Sequence, residues 1–329
     1  NNSSGATSYL KDVRFIKNTI DGGYYNMYFN FPAGSTVNMS ETGMSVTIDS
    51  NTLNNAYYYG IYSYHYARYP SISYNTITSR TSGSVTSNWY GMYFNYYHNV
   101  EEIVGNKIQS TNTSITNPRG IYINYYFNQS SYGGKGTGLI ANNEIILHGI
   151  NTSSTYNNFC GIYVYTPNAN VNLYHNSIYL YRSASTTTYG SGIFTYNTNP
   201  SYKINLLNNN LVTSLSSGTS ATVYPYYVAS STYCSSSYGV RNYNNYFNTR
   251  SSTIAYTGAN RTLATLRSTH SQDTNSTNIN PGYATSPTDL IPTTWTSCPV
   301  LTEVPKDIEG NFRIGSTHMG CYTAVFSLD

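Results

Sequence analysis

The chain has 329 residues, of which only 9% are charged, and its 39 Tyr residues raise the aromatic share to 16%. An ordinary soluble domain is roughly 25% charged, so Tyr, Asn, Ser and Thr must supply most of the polar surface here. The net charge of +3 and the scattered 16 Lys and Arg do not make the basic patch that nucleic-acid binding needs. No run approaches the roughly 20 apolar residues of a membrane span.

Residues 1 to about 50 carry a weak form of a repeat that is clear from residue 54 to about 230. Its best copy runs from Gly161-Ile162-Tyr163 to His175-Asn176-Ser177-Ile178. The Asn that closes each unit returns after 24 to 37 residues (75 − 51 and 143 − 106), a period typical of solenoids. Short apolar runs between Asn, Ser, Thr and Gly predict strands. Strands that recur once per coil must stack on their copies, so we predict an all-β parallel β-helix over 1–239, ending in an irregular C-terminal capping segment over 240–329.

Alternation along the repeated strand assigns its two faces. If the residue after each repeat Gly points inward, the next points outward and lies about 4.8 Å from its copy. An exposed aromatic row either favours strand formation or serves as a contact surface, and both interpretations stay open. The predicted inward set is Ile61, Met92, Ile121, Ile162 and Ile193, and the predicted outward aromatic ladder is Tyr62, Tyr93, Tyr122, Tyr163 and Phe194.

The closing Asn residues predict a second ladder, at a turn. Asn tolerates a left-handed backbone and can hydrogen-bond to its copy one coil away, so we interpret this ladder as structural. Its predicted members are Asn75, Asn106, Asn143, Asn176 and Asn209.

The loops between units, among them Thr152 to Asn157, are rich in Ser, Thr, Asn and Gly. They are predicted to be solvated turns that project from one edge. Asn-x-Ser/Thr triplets permit glycosylation of a secreted protein in a suitable host, although a chain of this composition contains them by chance. They occur at Asn1, Asn2, Asn38, Asn112, Asn128, Asn151 and Asn275.

From about residue 240 the repeat is lost, and a series of short sequence motifs follows. They are Tyr243 to Phe247, Thr262 to Leu266, Gln272 to Ser276, Thr288 to Leu290, Asp307 to Arg313 and Met319 to Tyr322. In type and order they resemble the C-terminal end of secreted bacterial right-handed parallel β-helix proteins, the pectate-lyase-like repeat family common in surface adhesins. The resemblance covers about 85 residues and implies a right-handed helix with a structural or adhesive role more often than catalysis. Asn280 to Tyr283 and His318 to Cys321 depart from the family pattern.

Four cysteines, Cys160, Cys234, Cys298 and Cys321, show no metal-binding spacing. We expect disulfides among them, as in an oxidising compartment, with buried free thiols as the alternative and the pairing left open. The chain begins with Asn1-Asn2-Ser3-Ser4, which we interpret as a mature product whose signal has been removed. The expected location is therefore secreted, extracellular or at the cell surface.

Polysaccharide lyases and glycoside hydrolases work through clustered carboxylates. Between residues 50 and 272 the only acids are Glu101, Glu102 and Glu144, and the first two are adjacent in a predicted strand, so they face opposite sides. Asp307, Glu309 and Asp289 could form a calcium site, but for Asp307 and Glu309 roles in a turn and in salt bridges with Arg313 are favoured. The six His residues lack a neighbouring nucleophile and acid in a catalytic pattern. We therefore expect no enzymatic activity, no metal site and no cofactor.

Two functions from different classes remain. The first is a secreted structural protein, an adhesin stalk or the subunit of an extracellular filament, which forms homo-oligomers. The second is a carbohydrate-binding or carbohydrate-active β-helix with glycans as partners. The sparse acids favour the first, whereas the outward aromatic row suits both. Self-association is expected end to end or along the aromatic ladder, because open strand edges pair with other chains and low charge removes repulsion.

Overall fold

The computed structural model describes residues 11–30, 45–65, 67–125, 134–151, 153–165, 167–182, 188–215, 222–284 and 287–324. Within these residues the chain winds through three parallel sheets, which we call A, B and C in the order in which each coil visits them. The predicted all-β parallel solenoid is confirmed.

Sheets A and B have eight strands each. Sheet A consists of Val13–Ile16, Val46–Asp49, Ile72–Ser73, Glu102–Val104, Thr137–Ala141, Asn170–Tyr174, Ile204–Leu207 and Arg241–Asn242. Sheet B consists of Thr19–Asp21, Thr52–Ala56, Thr76–Ser79, Lys107–Ser110, Glu144–His148, Ser177–Arg182, Asn210–Leu215 and Asn245–Asn248.

Sheet C has nine strands. They are Tyr25–Asn30, Tyr59–Tyr64, Asn88–Asn95, Asn117–Asn124, Cys160–Tyr165, Tyr189–Tyr196, Thr222–Val228, Ala255–Thr257 and the antiparallel Asn260–Arg261. Smaller elements are the pairs Ala67–Tyr69 with His98–Val100 and Ser297–Pro299 with Ser316–His318, the 3-10 turns Ser231–Cys234 and Ser236–Tyr238, and the helix α1 (Leu263–His270).

The core is a stack of aliphatic side chains from all three sheets. The predicted inward residues of sheet C pair with one another in a single register, Ile61 with Met92, Met92 with Ile121, Ile121 with Ile162 and Ile162 with Ile193. Each of the five is at most 1% exposed, which confirms the assignment. Burying one such side chain stabilises the fold by about 1.5–3 kcal/mol, and the same position is filled in every coil.

Each repeat Gly lies where two consecutive residues of sheet C face inward. Gly60 and Ile61 are both buried, while Tyr59 and Tyr62 on either side are partly exposed. A Cβ at Gly161 would lie 2.5 Å from the carbonyl oxygen of the next repeat Gly and 2.5 Å from a methyl group of Ile178 in sheet B. Gly therefore recurs because the coil spacing leaves no room for a side chain. In the strands of Gly60 and Gly91, the doubled inward pair also brings a Tyr on either side of it onto the outer face.

The closing Asn residues form one continuous ladder through the turn between sheets A and B. At a typical rung, the backbone N–H and the Nδ2 of Asn143 donate to Oδ1 of Asn176 at 3.1 and 3.0 Å. Nδ2 also donates to the carbonyl oxygen of Ile103 at 2.9 Å. The predicted hydrogen bonds between copies are therefore present, in a longer ladder than predicted. Its members are Asn18, Asn51, Asn75, Asn106, Asn143, Asn176, Asn209 and Asn244.

The expectation of a left-handed backbone at these Asn residues is wrong. The positive φ belongs to the residue before each of them, for example Tyr74 (φ 53), Asn142 (φ 54) and His175 (φ 54). That preceding residue makes the turn, so the ladder Asn can direct its side-chain amide toward the neighbouring coil. All members except the exposed Asn18 are buried.

The C-terminal end of the solenoid is closed by polar and apolar contacts. The sheets continue past residue 240 to Thr257, beyond the point at which the sequence period becomes hard to follow. Leu266 of α1 is fully buried against the core. The Asn ladder ends at Ser276, whose Oγ accepts the backbone N–H of Asn244 at 3.1 Å.

Residues 287–324, which we call the tail, fold back along the side of the solenoid. Tyr322 Oη and the backbone N–H of Leu290 donate to Oε2 of Glu144 at 2.7 and 2.8 Å. Arg313 Nη2 donates to Oδ1 of Asn142 at 2.9 Å. Burial raises the pKa of Glu144, although both donors oppose the shift. The tail therefore contacts several coils of the solenoid, in addition to the contacts that close its C-terminal end.

Candidate functional site

Six Tyr rings on the N-terminal half of sheet C form a two-by-three arrangement, which we call the tyrosine array. Ring centroids lie 5.0–5.3 Å apart between coils and 4.7–4.9 Å apart within a strand, with interplanar angles of 14–19°. One column contains the predicted Tyr62 and Tyr93, and in the other column Tyr59 and Tyr90 face outward because of the inward pairs that begin at Gly60 and Gly91. The members are Tyr25, Tyr28, Tyr59, Tyr62, Tyr90 and Tyr93.

The array presents ring edges and hydroxyl groups rather than ring faces. Near-parallel rings at this spacing cover each other's faces, and Tyr28 at the N-terminal edge is the most exposed member at 48%. Burial raises the pKa of Tyr62 to about 12, although a hydrogen bond with Asn95 opposes the shift. The hydroxyl is therefore protonated at physiological pH and can both donate and accept hydrogen bonds.

The strands that carry the array, Tyr25–Asn30, Tyr59–Tyr64 and Asn88–Asn95, contain no charged residue. Arg119 pairs with Tyr90 from the neighbouring strand of the next coil, and its guanidinium carbon lies 4.5 Å from the centroid of the Tyr90 ring. Its Nε donates to the carbonyl oxygen of Asn157 at 2.9 Å, and the residue is only 5% exposed. The array is thus an uncharged surface closed at one end by a buried cation.

The aromatic ladder continues beyond the array but is covered there. Tyr122 and Tyr163 stack with centroids 4.2 Å apart, and Phe194 stacks on Tyr227 at 4.6 Å. The predicted ladder therefore lies on the outer face. Residues 153–159 lie across it, however, because Asn157 Nδ2 donates to the Tyr122 hydroxyl at 3.2 Å and Tyr156 stacks on Tyr227 at 4.6 Å.

This loop leaves Tyr163 only 5% exposed. Of the predicted solvated turn Thr152 to Asn157, the residues Ser153, Ser154 and Thr155 are exposed as expected, whereas Tyr156 and Asn157 are not. These two side chains supply a stacking and a hydrogen-bonding partner for rings of sheet C, so they fold onto the sheet. In sheet C, the aromatic rings next to this loop are therefore less open to a partner than those of the N-terminal half, where Tyr28 is 48% exposed.

The acids considered in the sequence have separate environments. Glu101 forms ion pairs with Arg68 and Lys135, each at 2.5 Å, while Glu144 is buried under the tail. Asp307 accepts the backbone N–H groups of Glu309 and Asn311 at 3.0 and 2.8 Å, which confirms its role in a turn. The predicted ion pair of these acids with Arg313 is not present among the described residues, because the guanidinium donates to Asn142 Oδ1 and to the carbonyl oxygen of Gly320.

Glu102 lies in a groove of about 170 Å³ between the outer face of sheet A and the tail. A second carboxylate, Glu303, also lines this groove, although sequence reasoning did not place it near Glu102. No periodic signal could have done so, because the tail lies outside the repeat. The residues that define the groove are Tyr74, Glu102, Val104, Leu139, Glu303 and Lys306.

The four cysteines, Cys160, Cys234, Cys298 and Cys321, are all free and buried. The disulfides expected among them are therefore not formed, and the alternative of buried thiols describes the structure. Burial raises the pKa of Cys160 and of Cys298 to about 12, so these thiols are protonated and unreactive at neutral pH.

The acceptor Asn of three glycosylation triplets lies within the described residues. Asn151 is buried and donates to the carbonyl oxygens of Thr155 and Tyr189 at 2.9 and 3.0 Å. Asn112 is partly buried and donates to the carbonyl oxygen of Arg80, whereas Asn275 is exposed. The triplets at Asn1, Asn2, Asn38 and Asn128 lie outside the described residues.

In comparisons with known proteins, no family model, no curated protein and no solved structure matches the chain. The likeness to bacterial surface β-helices therefore rests on the C-terminal motifs and the repeat alone. Among the described residues, no helix has the length and apolar character needed to cross a membrane.

Proposed function

We propose that this chain is a non-catalytic structural protein of the extracellular space or cell surface, an adhesin stalk or filament subunit. We further propose that copies associate side by side through the tyrosine array. The observation that carries this proposal is an uncharged array of six Tyr rings on a rigid sheet. Tyr offers a large contact area at low entropic cost, and aromatic patches of this kind are typical of contact surfaces.

The solenoid suits a structural role because each coil is fixed to the next by two ladders. The buried Asn residues connect coils inside, and the stacked Tyr rings connect them outside. Stacked aromatic and Asn ladders stabilise parallel sheets in this way. The Asn rung is repeated from coil to coil, which makes a body that resists bending along its axis.

The capped C-terminal end favours lateral association over end-to-end association. The backbone N–H of Tyr246 donates to the carbonyl oxygen of Thr277 at 2.9 Å, and Asn260–Arg261 pairs along the outer edge of sheet C. These contacts occupy edge groups that an incoming copy would need.

Glycan binding is the alternative function. Sugars that bind by stacking need open ring faces, and the faces inside the array are already covered by neighbouring rings. The geometry therefore favours a protein partner, whose polar groups can bond the Tyr hydroxyls.

Sedimentation velocity over a range of micromolar concentrations tests the proposal. We expect the parent chain to associate, and Tyr28→Lys combined with Tyr62→Lys to remain monomeric because facing ammonium groups repel each other. Ile291→Lys is the matched control, since Ile291 is a 45% exposed apolar residue on the tail, and it should associate like the parent. A parent chain that stays monomeric, or a folded double variant that associates equally well, would overturn the proposal.

A further inference from the structure

The groove beside sheet A combines an apolar floor with two acidic side chains. Val104 and Leu139 project from the outer face of the sheet, and Val304 of the tail packs beside them and is 3% exposed. Glu102 enters from the sheet and Glu303 from the tail. Two chain segments about 200 residues apart (303 − 102) therefore build the site together.

The two carboxylates are not neutralised by the protein. Within the part of the chain that the structure describes, Glu102 has no hydrogen-bond or ion-pair partner, and Glu303 accepts only from Thr302 Oγ1 at 3.0 Å. Glu101, the residue before Glu102, in contrast forms ion pairs with two cations. Charges beside an apolar wall attract a counter-ion more strongly than charges in open water.

One cation also lines the groove. It is Lys306, whose Nζ lies 4.4 Å from the ring centroid of Phe312. The net charge of the groove is thus negative, although the whole chain carries a formal charge of +3.

An aromatic ring completes the site. The ring of Tyr74 lies over Gly105, where a Cβ would come within 2.7 Å of the ring. Tyr74 itself is 49% exposed. An aromatic ring beside carboxylates favours a bound cation through its negative face.

We propose that this groove binds a lysine side chain of a partner polypeptide. The aliphatic stem lies on Val104, Leu139 and Val304, while the ammonium group donates hydrogen bonds to Glu102 and Glu303. Lysine fits because it joins a compact cation to a flexible apolar stem. The site is separate from the tyrosine array, so it stands independently of lateral association.

Amide chemical shifts of isotope-labelled protein report binding of the probe Nα-acetyl-lysine methylamide. We expect shifts at residues 102–104 and at Glu303, Val304 and Lys306. Binding should be weaker in Glu102→Gln and in Glu303→Gln by about fivefold each, the size of one charged contact near a surface. Lys306→Met should strengthen binding about twofold because it removes a competing cation. The matched control Glu309→Gln alters an exposed acid that does not line the groove and should leave binding unchanged.

Three results would overturn the proposal. The first is no binding by the lysine probe, and the second is equal binding by the norleucine analogue, which has a similar stem without the ammonium group. The third is unchanged affinity in both Gln variants with their folds intact. A neutral sugar that displaces the lysine probe and is insensitive to Lys306→Met would assign the groove to glycans instead.

Discussion

Replacing Asn143 by Ala removes four hydrogen bonds from the middle of the buried ladder. The side chain donates to Asn176 Oδ1 at 3.0 Å and to the carbonyl oxygen of Ile103 at 2.9 Å. Its Oδ1 accepts the backbone N–H and Nδ2 of Asn106 at 3.1 and 3.0 Å. Asn106, Asn143 and Asn176 are each 0% exposed, so water cannot replace these bonds in the intact fold.

The expected loss of stability is the sum of the costs of the four broken hydrogen bonds. The backbone N–H of Asn106 loses its acceptor and stays buried, which costs about 1–3 kcal/mol, and each of the other three bonds contributes about 1 kcal/mol. We therefore expect Asn143→Ala to lower the free energy of unfolding by roughly 4–6 kcal/mol. Such a value is far above that of an ordinary polar substitution.

Asn18→Ala is the matched control because Asn18 is an exposed rung at the N-terminal end of the ladder. It donates through Nδ2 to Asn51 Oδ1 at 2.9 Å and to the carbonyl oxygen of Ile16 at 3.3 Å, and its loss should cost less than about 1 kcal/mol. Urea unfolding is followed by far-UV circular dichroism and by Tyr fluorescence, since repeat proteins can unfold in stages. Equal losses in the two variants would refute the role assigned to the buried ladder.

Three further perturbations test other parts of the fold. Gly161→Ala places a Cβ 2.5 Å from the carbonyl oxygen of Gly192 and should lower the free energy of unfolding by about 3 kcal/mol. A loss below about 1 kcal/mol would contradict the close approach of the coils. Burial lowers the pKa of His98 to about 4, so the folded state binds this proton more weakly than the unfolded state, and stability is full above about pH 6.5 and lost as the pH falls toward 4. Urea titrations should give about 2 kcal/mol less at pH 4.5 than at pH 7 from this group, and an unchanged pH slope in His98→Gln would contradict that assignment. Burial raises the pKa of Glu144, so its stabilising contribution is full below about pH 4.3 and lost as the pH rises through the folded pKa. Glu144→Gln should therefore keep the tail docked at pH 7, and Glu144→Ala should release it, which hydrogen exchange at the amide of Leu290 measures. Equal exchange rates in the two variants would contradict a role for this contact.

Much of the solenoid could be predicted because each coil repeats the same short-range chemistry. Ile162 and Tyr163 take opposite faces for the reason that any two neighbours in a strand do, and their copies have no other way to pack. The buried Asn ladder follows similarly from a fixed position in the turn. These features depend on contacts between equivalent residues, which the period exposes.

The remaining features depend on contacts between residues that are not equivalent. Tyr59 and Tyr90 join the array because Gly60 and Gly91 have no room for a Cβ, a fact set by the spacing between coils. The contact between Glu144 and Leu290 joins residues 146 positions apart. No repeat connects such a pair, and the same holds for the groove and for the loop over sheet C.

Electron microscopy of the purified chain at micromolar concentration tests lateral association most directly. We predict particles packed side by side, which the combination of Tyr28→Lys and Tyr62→Lys disperses while Ile291→Lys does not. Dispersed single particles of the parent chain, or end-to-end threads that persist in the double variant, would contradict association through the tyrosine array.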